Sequence, residues 1–386
     1  MRKLLFLLLN VLALSAAAQT DLKLVSPLDY QVFQRLTASG GNIIVETVLN
    51  TKARGALTNL GQLEARLITS PTNVAAKWQP LPFDCRVRHF RTELPAPAGG
   101  WYRLEVRLLS HGTNISQASV EHVGVGEVFI VAGQSNAANH GEGKQHAQNP
   151  LVVAFGKDHW QPAADPEPGA SGTGGSFMPA FGDAMANKFK VPVGIVPIAV
   201  GSTSVREWLP HGDVMAAPPT TGRNTILIGS NVWVSAGDLF DKIVTVEKQF
   251  GTNGFRAILW HQGESDVRQA PEYEITPSTY RRYLQRVIEA SRAAAGWRVP
   301  WFVAQVSYHT PEDQGSPELR AAQKSLVTDG LALAGPNTDE LGPEFRQDNG
   351  RGIHMNPRGL QRHGELWAQL VGTWLDQQLA SHPAAQ

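Results

Sequence analysis

Apolar residues change their rhythm once along this chain. Through residues 21–122 they come in short alternating runs with no helical period. Arg103-Leu-Glu-Val-Arg-Leu108 alternates strictly, which puts Leu104, Val106 and Leu108 on one face and charge on the other, as in a half-buried strand. Ile43-Ile-Val-Glu-Thr-Val-Leu49 and Leu63-Glu-Ala-Arg-Leu67 read as further strands, and Gly99-Gly100 as a turn. Short strands between regular turns predict a β-sandwich. No aromatic cluster is concentrated there, so the segment is expected to brace the rest of the chain rather than to bind sugar.

After Gly124 apolar strands alternate with helical segments. Strands are predicted at 127–132, 193–200, 255–260, 300–307 and 331–334. Between them Phe177, Phe181, Met185 and Phe189 recur every fourth residue, and Leu239, Ile243, Val246 and Phe250 step along a second helix that Gly251 ends. Ser316-Pro317 and Asn356-Pro357 are cap-plus-proline helix starts. This alternation predicts an α/β fold, a mostly parallel five-stranded sheet flanked by helices and preceded by the smaller sandwich. The expected division is 19–122 for the sandwich and 123–386 for the α/β domain, each a separate folding unit. Residues 139–176, rich in Gly, Pro, Asp and His without periodicity, read as a long loop that walls a cleft.

Composition adds three points. Met1-Arg2-Lys3, an apolar run through Leu14 and Ser15-Ala-Ala-Ala-Gln19 read as a secretory signal peptide over 1–18, too short to span a bilayer. No membrane anchor is expected, and the location is secreted or periplasmic. Basic and acidic residues balance at 34 each with no basic tract, which gives no support to nucleic acid as a partner. Cys85 is the single cysteine, so no intrachain disulfide can form. The chain has no His-Glu-x-x-His, paired cysteines, Asp-rich loop or dinucleotide fingerprint, so no metal and no cofactor is expected.

The chemistry concentrates in four blocks. Gly133-Gln-Ser-Asn136 follows the strand at 127–132, Gly201-Ser202 ends the next strand, Trp260-His-Gln-Gly-Glu-Ser-Asp266 ends a third, and Gly352-Ile-His-Met-Asn-Pro357 opens the last helix. Ligand sites of such sheets lie at the carboxyl ends of the strands, where Ser135, Gly201 and Gln262 all fall. A serine on the turn after a buried strand suits a nucleophile, although it also suits an ordinary turn. His354, in the loop before the Asn356 cap, is a candidate base because imidazole titrates near neutrality.

In this order the blocks resemble the SGNH hydrolases, and within them the sialate O-acetylesterase-like carbohydrate esterases, which carry a GQSN turn and a W-x-Q-G-E block. The resemblance covers roughly Gly124 to the C-terminus. It implies an SGNH (flavodoxin-like) fold and a cofactor-free serine esterase acting on an acetylated carbohydrate, with Ser135 as nucleophile and His354 as base. It implies oxyanion donors at the Ser135 and Gly201 backbone N–H groups and at the Gln262 amide. Asn136 reads as fixing the loop. Arg206 and Trp208 are placed to line a sugar site, and a salt bridge and a packed indole serve equally as readings. The chain departs from the family at one point: the family's Asp-x-x-His has Arg351 in the acid position. Asp348 on a glycine-containing loop, Glu264, or no acid at all remain open, with Asp348 favoured and Glu264 read as tying the loop. The competing class is a non-catalytic glycan-binding protein that kept the fold.

Overall fold

The computed structural model describes residues 20–51, 61–69, 74–84, 87–313 and 315–381. The expected signal peptide and Cys85 lie outside the described residues. The strands of the first part are β1 (Thr20–Ser26), β2 (Gln31–Gln34), β3 (Gly40–Thr51), β4 (Gln62–Thr69), β5 (Val74–Ala75), β6 (Gln79–Leu81), β7 (His89–Pro97), β8 (Gly99–Ser110) and β9 (Thr113–Gly133). β1, β3 and β7 form one antiparallel sheet. β4, β8 and the first half of β9 form the sheet facing it, and Leu22, Ile43, Val45, Leu63, Leu104, Val106 and Val125 fill the space between. The inward residues are those the alternation assigns, with Leu104, Val106 and Leu108 fully buried.

The second part continues with β10 (Val152–Gly156), β11 (His159–Pro162), α1 (Met178–Phe189), β12 (Val193–Pro197), β13 (Val214–Met215), β14 (Thr225–Ile228), β15 (Val232–Ser235) and α2 (Asp238–Phe250). It ends with β16 (Ala257–His261), α3 (Pro277–Ala295), β17 (Trp301–Gln305), α4 (Pro317–Thr328), β18 (Leu333–Asn337), the single turn α5 (Gln347–Gly350) and α6 (Pro357–Ser381). The central sheet runs β11-β10-β12-β9-β16-β17-β18, parallel except for β11. One apolar cluster, with Trp208, Trp260, Trp301, Ile243 and Leu284, packs on one face of the sheet. Another, with Phe177, Phe181, Met185, Trp367 and Val371, packs on the other. The tryptophans therefore serve mainly as core. The predicted caps form: Ser316 Oγ accepts from Leu319 N–H at 3.1 Å and Asn356 Oδ1 from Gly359 N–H at 2.9 Å.

One expectation is corrected, and one boundary is described more closely. The stretch 139–176 contains the hairpin β10–β11, which adds a parallel strand beside β12 and an antiparallel edge strand. Its apolar run is only five residues long and is enclosed by glycine and proline, so no period could form. The change of rhythm near His122 is real, but it falls inside one 21-residue strand. β9 is alternately exposed in its first half and wholly buried from Val123 onward, because it leaves a two-layer sandwich and enters a sheet covered on both faces. β2 pairs with this second half, from Gln31↔Val123 to Gln34↔Gly126.

Candidate active site

The position of Ser135 is set by the way β9 ends. Gly133 has φ 128°, and a Cβ there would overlap the His261 carbonyl oxygen. Only glycine turns the chain so close to the neighbouring strand. Gln134 then fastens the turn to β16: its N–H donates to His261 O at 2.9 Å. Its Oε1 accepts from Gln262 Nε2 at 3.2 Å, Gly263 N–H at 3.3 Å and Ser265 N–H at 3.1 Å. Ser135 opens a one-turn 3-10 helix, Ser135–Ala137, at the carboxyl edge of the sheet. Its N–H is in a first turn and so has no partner within that helix.

The next residue brings the histidine in. Asn136 Nδ2 donates to Glu264 Oε1 at 2.8 Å and to the Ile353 carbonyl at 3.3 Å, so the residue after the serine is tied to the residue before His354. Arg346 donates to the same carbonyl at 2.8 Å and to Leu341 O and Thr338 O, and lies 4.0 Å from the Tyr308 ring centroid. His354 Nδ1 faces the Gln347 side-chain amide at 3.2 Å. Burial holds the His354 imidazole down to about 4, with His140 and Arg346 opposing the charged form and Asp348 favouring it. Its ring is therefore neutral and able to accept a proton at neutral pH.

Residues that the sequence did not single out complete the edge. The His140 ring lies 5.5 Å from the His354 ring, and its Nε2 is 3.1 Å from Ser171 Oγ. That hydroxyl accepts the Gly201 N–H at 2.7 Å. His140 and Ser171 lie in loops and Gln347 opens the single turn α5, where no period or spacing marks a residue; their roles arise from the contacts they make once the chain is folded.

The other predicted residues fall as follows. Gln262 is fully buried, and its amide nitrogen meets Gln134 Oε1, the Thr203 carbonyl at 3.0 Å and Asp266 Oδ2 at 2.7 Å. It braces three loops and leaves no amide proton turned to a substrate. The Gly201 N–H is aimed at Ser171, and the side of Gly201 without a Cβ is taken up by the His140 ring. Arg206 and Trp208 are wholly buried. The Arg206 guanidinium donates to the carbonyls of Ala217, Pro218 and Tyr273, and the Trp208 indole N–H donates to Thr203 Oγ1 at 3.0 Å. They shape the loop after β12 and present no face to a sugar. Asp348 is exposed, has left-handed backbone (φ 55°, ψ 42°) and, among the described residues, makes no hydrogen bond or ion pair with His354. Glu264 is buried against Asn136, and burial pushes its carboxyl up to about 7.

The chain matches the sequence profile of the carbohydrate esterases described as sialic acid-specific acetylesterase over residues 125–371. Comparison with curated protein sequences gave no match. Among solved structures the chain is similar to a carbohydrate acetylesterase from Xanthomonas citri, at 17% identity and a TM-score of 0.53, covering 89% of this chain and 72% of that one. It also aligns with a protein from Arabidopsis thaliana at 22% identity and a TM-score of 0.44, covering 65% of this chain and 98% of that one. The profile spans the segment from the end of the sandwich to the middle of α6, and so takes in Ser135, Glu264 and His354 together. This chain belongs to the sialic acid-specific acetylesterase family of carbohydrate esterases, and is a carboxylic ester hydrolase.

Proposed function

We propose that the protein removes O-acetyl groups from a carbohydrate through an acetyl-enzyme on Ser135, with His354 as general base and acid, on an SGNH-type version of the α/β fold. The observation that carries this reading is the Asn136–Ile353 bond, which links the turn of a strand-end serine to the loop of a neutral histidine. Ser135 Oγ attacks the acetyl carbonyl as its proton passes to His354 Nε2. The Ser135 N–H donates to the oxyanion. A substrate oxygen reaches the Gly201 N–H by replacing the Ser171 hydroxyl that now accepts it at 2.7 Å. Collapse breaks the bond to the sugar oxygen, which leaves as an alcohol with the proton from His354. Water then attacks the acetyl-enzyme, gives its proton to the same nitrogen and releases acetate.

Residues 1–18 support export as the route by which the enzyme meets its glycan. Among the described residues no helix is long and apolar enough to cross a membrane. The substrate class is tested with purified protein on a panel of acetylated sialic acid, xylan, pectin and peptidoglycan fragments, with acetate as readout. Release from one or more panel members at rates well above that from an acetylated non-sugar alcohol is expected. Equal rates on all would remove the carbohydrate from the reading.

A further inference from the structure

We propose that Gln347 is the positioning residue of the histidine: its side-chain amide, and not a carboxylate, holds His354 Nδ1 and sets which nitrogen is the base. The inference rests on the Ser135–His354 reading above and adds to it the identity of the third group.

The contact is built by the backbone. Gln347 N–H donates to His354 O at 3.0 Å, Arg346 and Met355 form a bridge beside it, and Asn356 N–H donates to Phe345 O at 2.9 Å. The two side chains thus stand opposite each other on a short hairpin, with the Gln347 amide 3.2 Å from Nδ1. Gly352 keeps the path open, because a Cβ there would run into Gln347 Cγ. Its own N–H fastens the turn to Gln347 O at 3.0 Å. The acids are directed elsewhere. Asp348 leaves the hairpin in a left-handed conformation and is exposed, and Glu264 accepts from Asn136. Arg351, in the family's acid position, is exposed.

An amide suffices for one part of the acid's task. Turned about its last torsion, it places Oε1 where Nε2 now sits, accepts the Nδ1–H and leaves the lone pair on Nε2. A carboxylate would fix the same tautomer and also stabilise the imidazolium. Here burial opposes the imidazolium, as do Arg346 and, when it is itself protonated, His140, whereas the exposed Asp348 favours it. The base is therefore oriented by a neutral partner and stays weakly basic.

The test compares pH profiles of kcat/KM for the wild type, Gln347→Glu, Gln347→Ala and Asp348→Asn on a small aryl acetate. His354→Ala serves as the control for the underlying reading. Loss of activity in His354→Ala supports the base, and full activity there would remove the serine–histidine reading whatever Gln347 does. With the base in place, Gln347→Glu is expected to move the acid limb up by about one pH unit or more, since an adjacent carboxylate favours the protonated ring. Gln347→Ala is expected to lower kcat about 10–100-fold with KM nearly unchanged, and Asp348→Asn to leave kcat within about threefold. An acid limb unmoved in Gln347→Glu, or a kcat loss in Asp348→Asn that exceeds that of Gln347→Ala, overturns the proposal. Nitrogen-15 spectra of the wild-type imidazole decide independently of variant folding: a His354 Nδ1–H tautomer at neutral pH is expected, and an Nε2–H tautomer overturns it.

Discussion

At the residue scale, Gln262 shows how the same side chain acquires a different role once its partners are known. Its place after a strand, in a Gln-Gly-Glu block, suggests an amide aimed at an oxyanion. Its nitrogen is instead shared among Gln134, Thr203 and Asp266. An oxyanion donor lost to alanine would reduce kcat and leave stability alone. A buried strut lost to alanine leaves acceptors without donors, at about 1–3 kcal/mol. Gln262→Ala is therefore expected to lower the unfolding free energy from a denaturant titration by that amount, and an unchanged unfolding free energy with reduced kcat would restore the oxyanion role. Ser135 and His354, the proposed nucleophile and base, stood out in the sequence because such roles call for particular residue types at strand ends and loops. His140, Ser171 and Gln347 did not, because a hydroxyl, an amide or an imidazole in a loop or a single turn becomes meaningful only beside the group it touches.

At the scale of elements, β9 carries the design. Its outer half belongs to the sandwich and its inner half is the centre of the parallel sheet, so the strand that ends at Gly133, just before Ser135, begins at Thr113 in another layer. Where it changes layers sits Glu127, fully buried, with Arg35 Nε at 2.5 Å and Arg256 Nε at 2.6 Å. Gln34 completes the join by donating to Glu127 Oε2 at 2.9 Å and accepting the Val128 N–H at 2.9 Å. Glu127→Ala would leave the Arg35 guanidinium buried with its main partner gone. The expected loss is about 3–5 kcal/mol in a denaturant titration, and a loss below about 1 kcal/mol would show that water replaces the carboxylate there. The strands β12, β16, β17 and β18 and the helices α1, α2 and α4 could be read from apolar period and caps. β10 could not, since five apolar residues inside a polar loop carry no period, and β9 was divided because burial pattern reports layers, not breaks in the chain.

At the scale of the whole molecule, the join predicts that the two halves fold together. A protein starting at Val123 loses β2, β8 and the first half of β9, and so uncovers the inner half of β9 on the side where β2 pairs. It is expected to be insoluble or to lack a cooperative thermal transition, whereas a monodisperse, active fragment would show that the sandwich is dispensable. Buried carboxyls add a pH dependence to the stability. Burial, with Asp165 adding, raises Glu167 to about 8 from the ordinary 4.5. Between those values the unfolded chain binds fewer protons than the fold, so this contribution is complete at low pH and is lost as pH rises towards 8. Glu264, raised to about 7, acts in the same direction. His261, held down to about 3 by burial, acts oppositely and loses its contribution as pH falls below about 6.5. Melting temperature is accordingly expected to fall between about pH 6 and pH 8, less steeply in Glu167→Gln; equal slopes would place the origin elsewhere.

The central claim is that Ser135 forms the covalent bond to the acetyl group, and its most direct test is acetate release by Ser135→Ala beside the wild type on the same aryl acetate. The fold around the turn is held by Gly133, Gln134 and Asn136, so the substitution leaves the site assembled and removes only the attacking oxygen. A fall in kcat of about 10³-fold or more with an unchanged melting temperature is the predicted result. Acetate release at the wild-type rate would contradict the account.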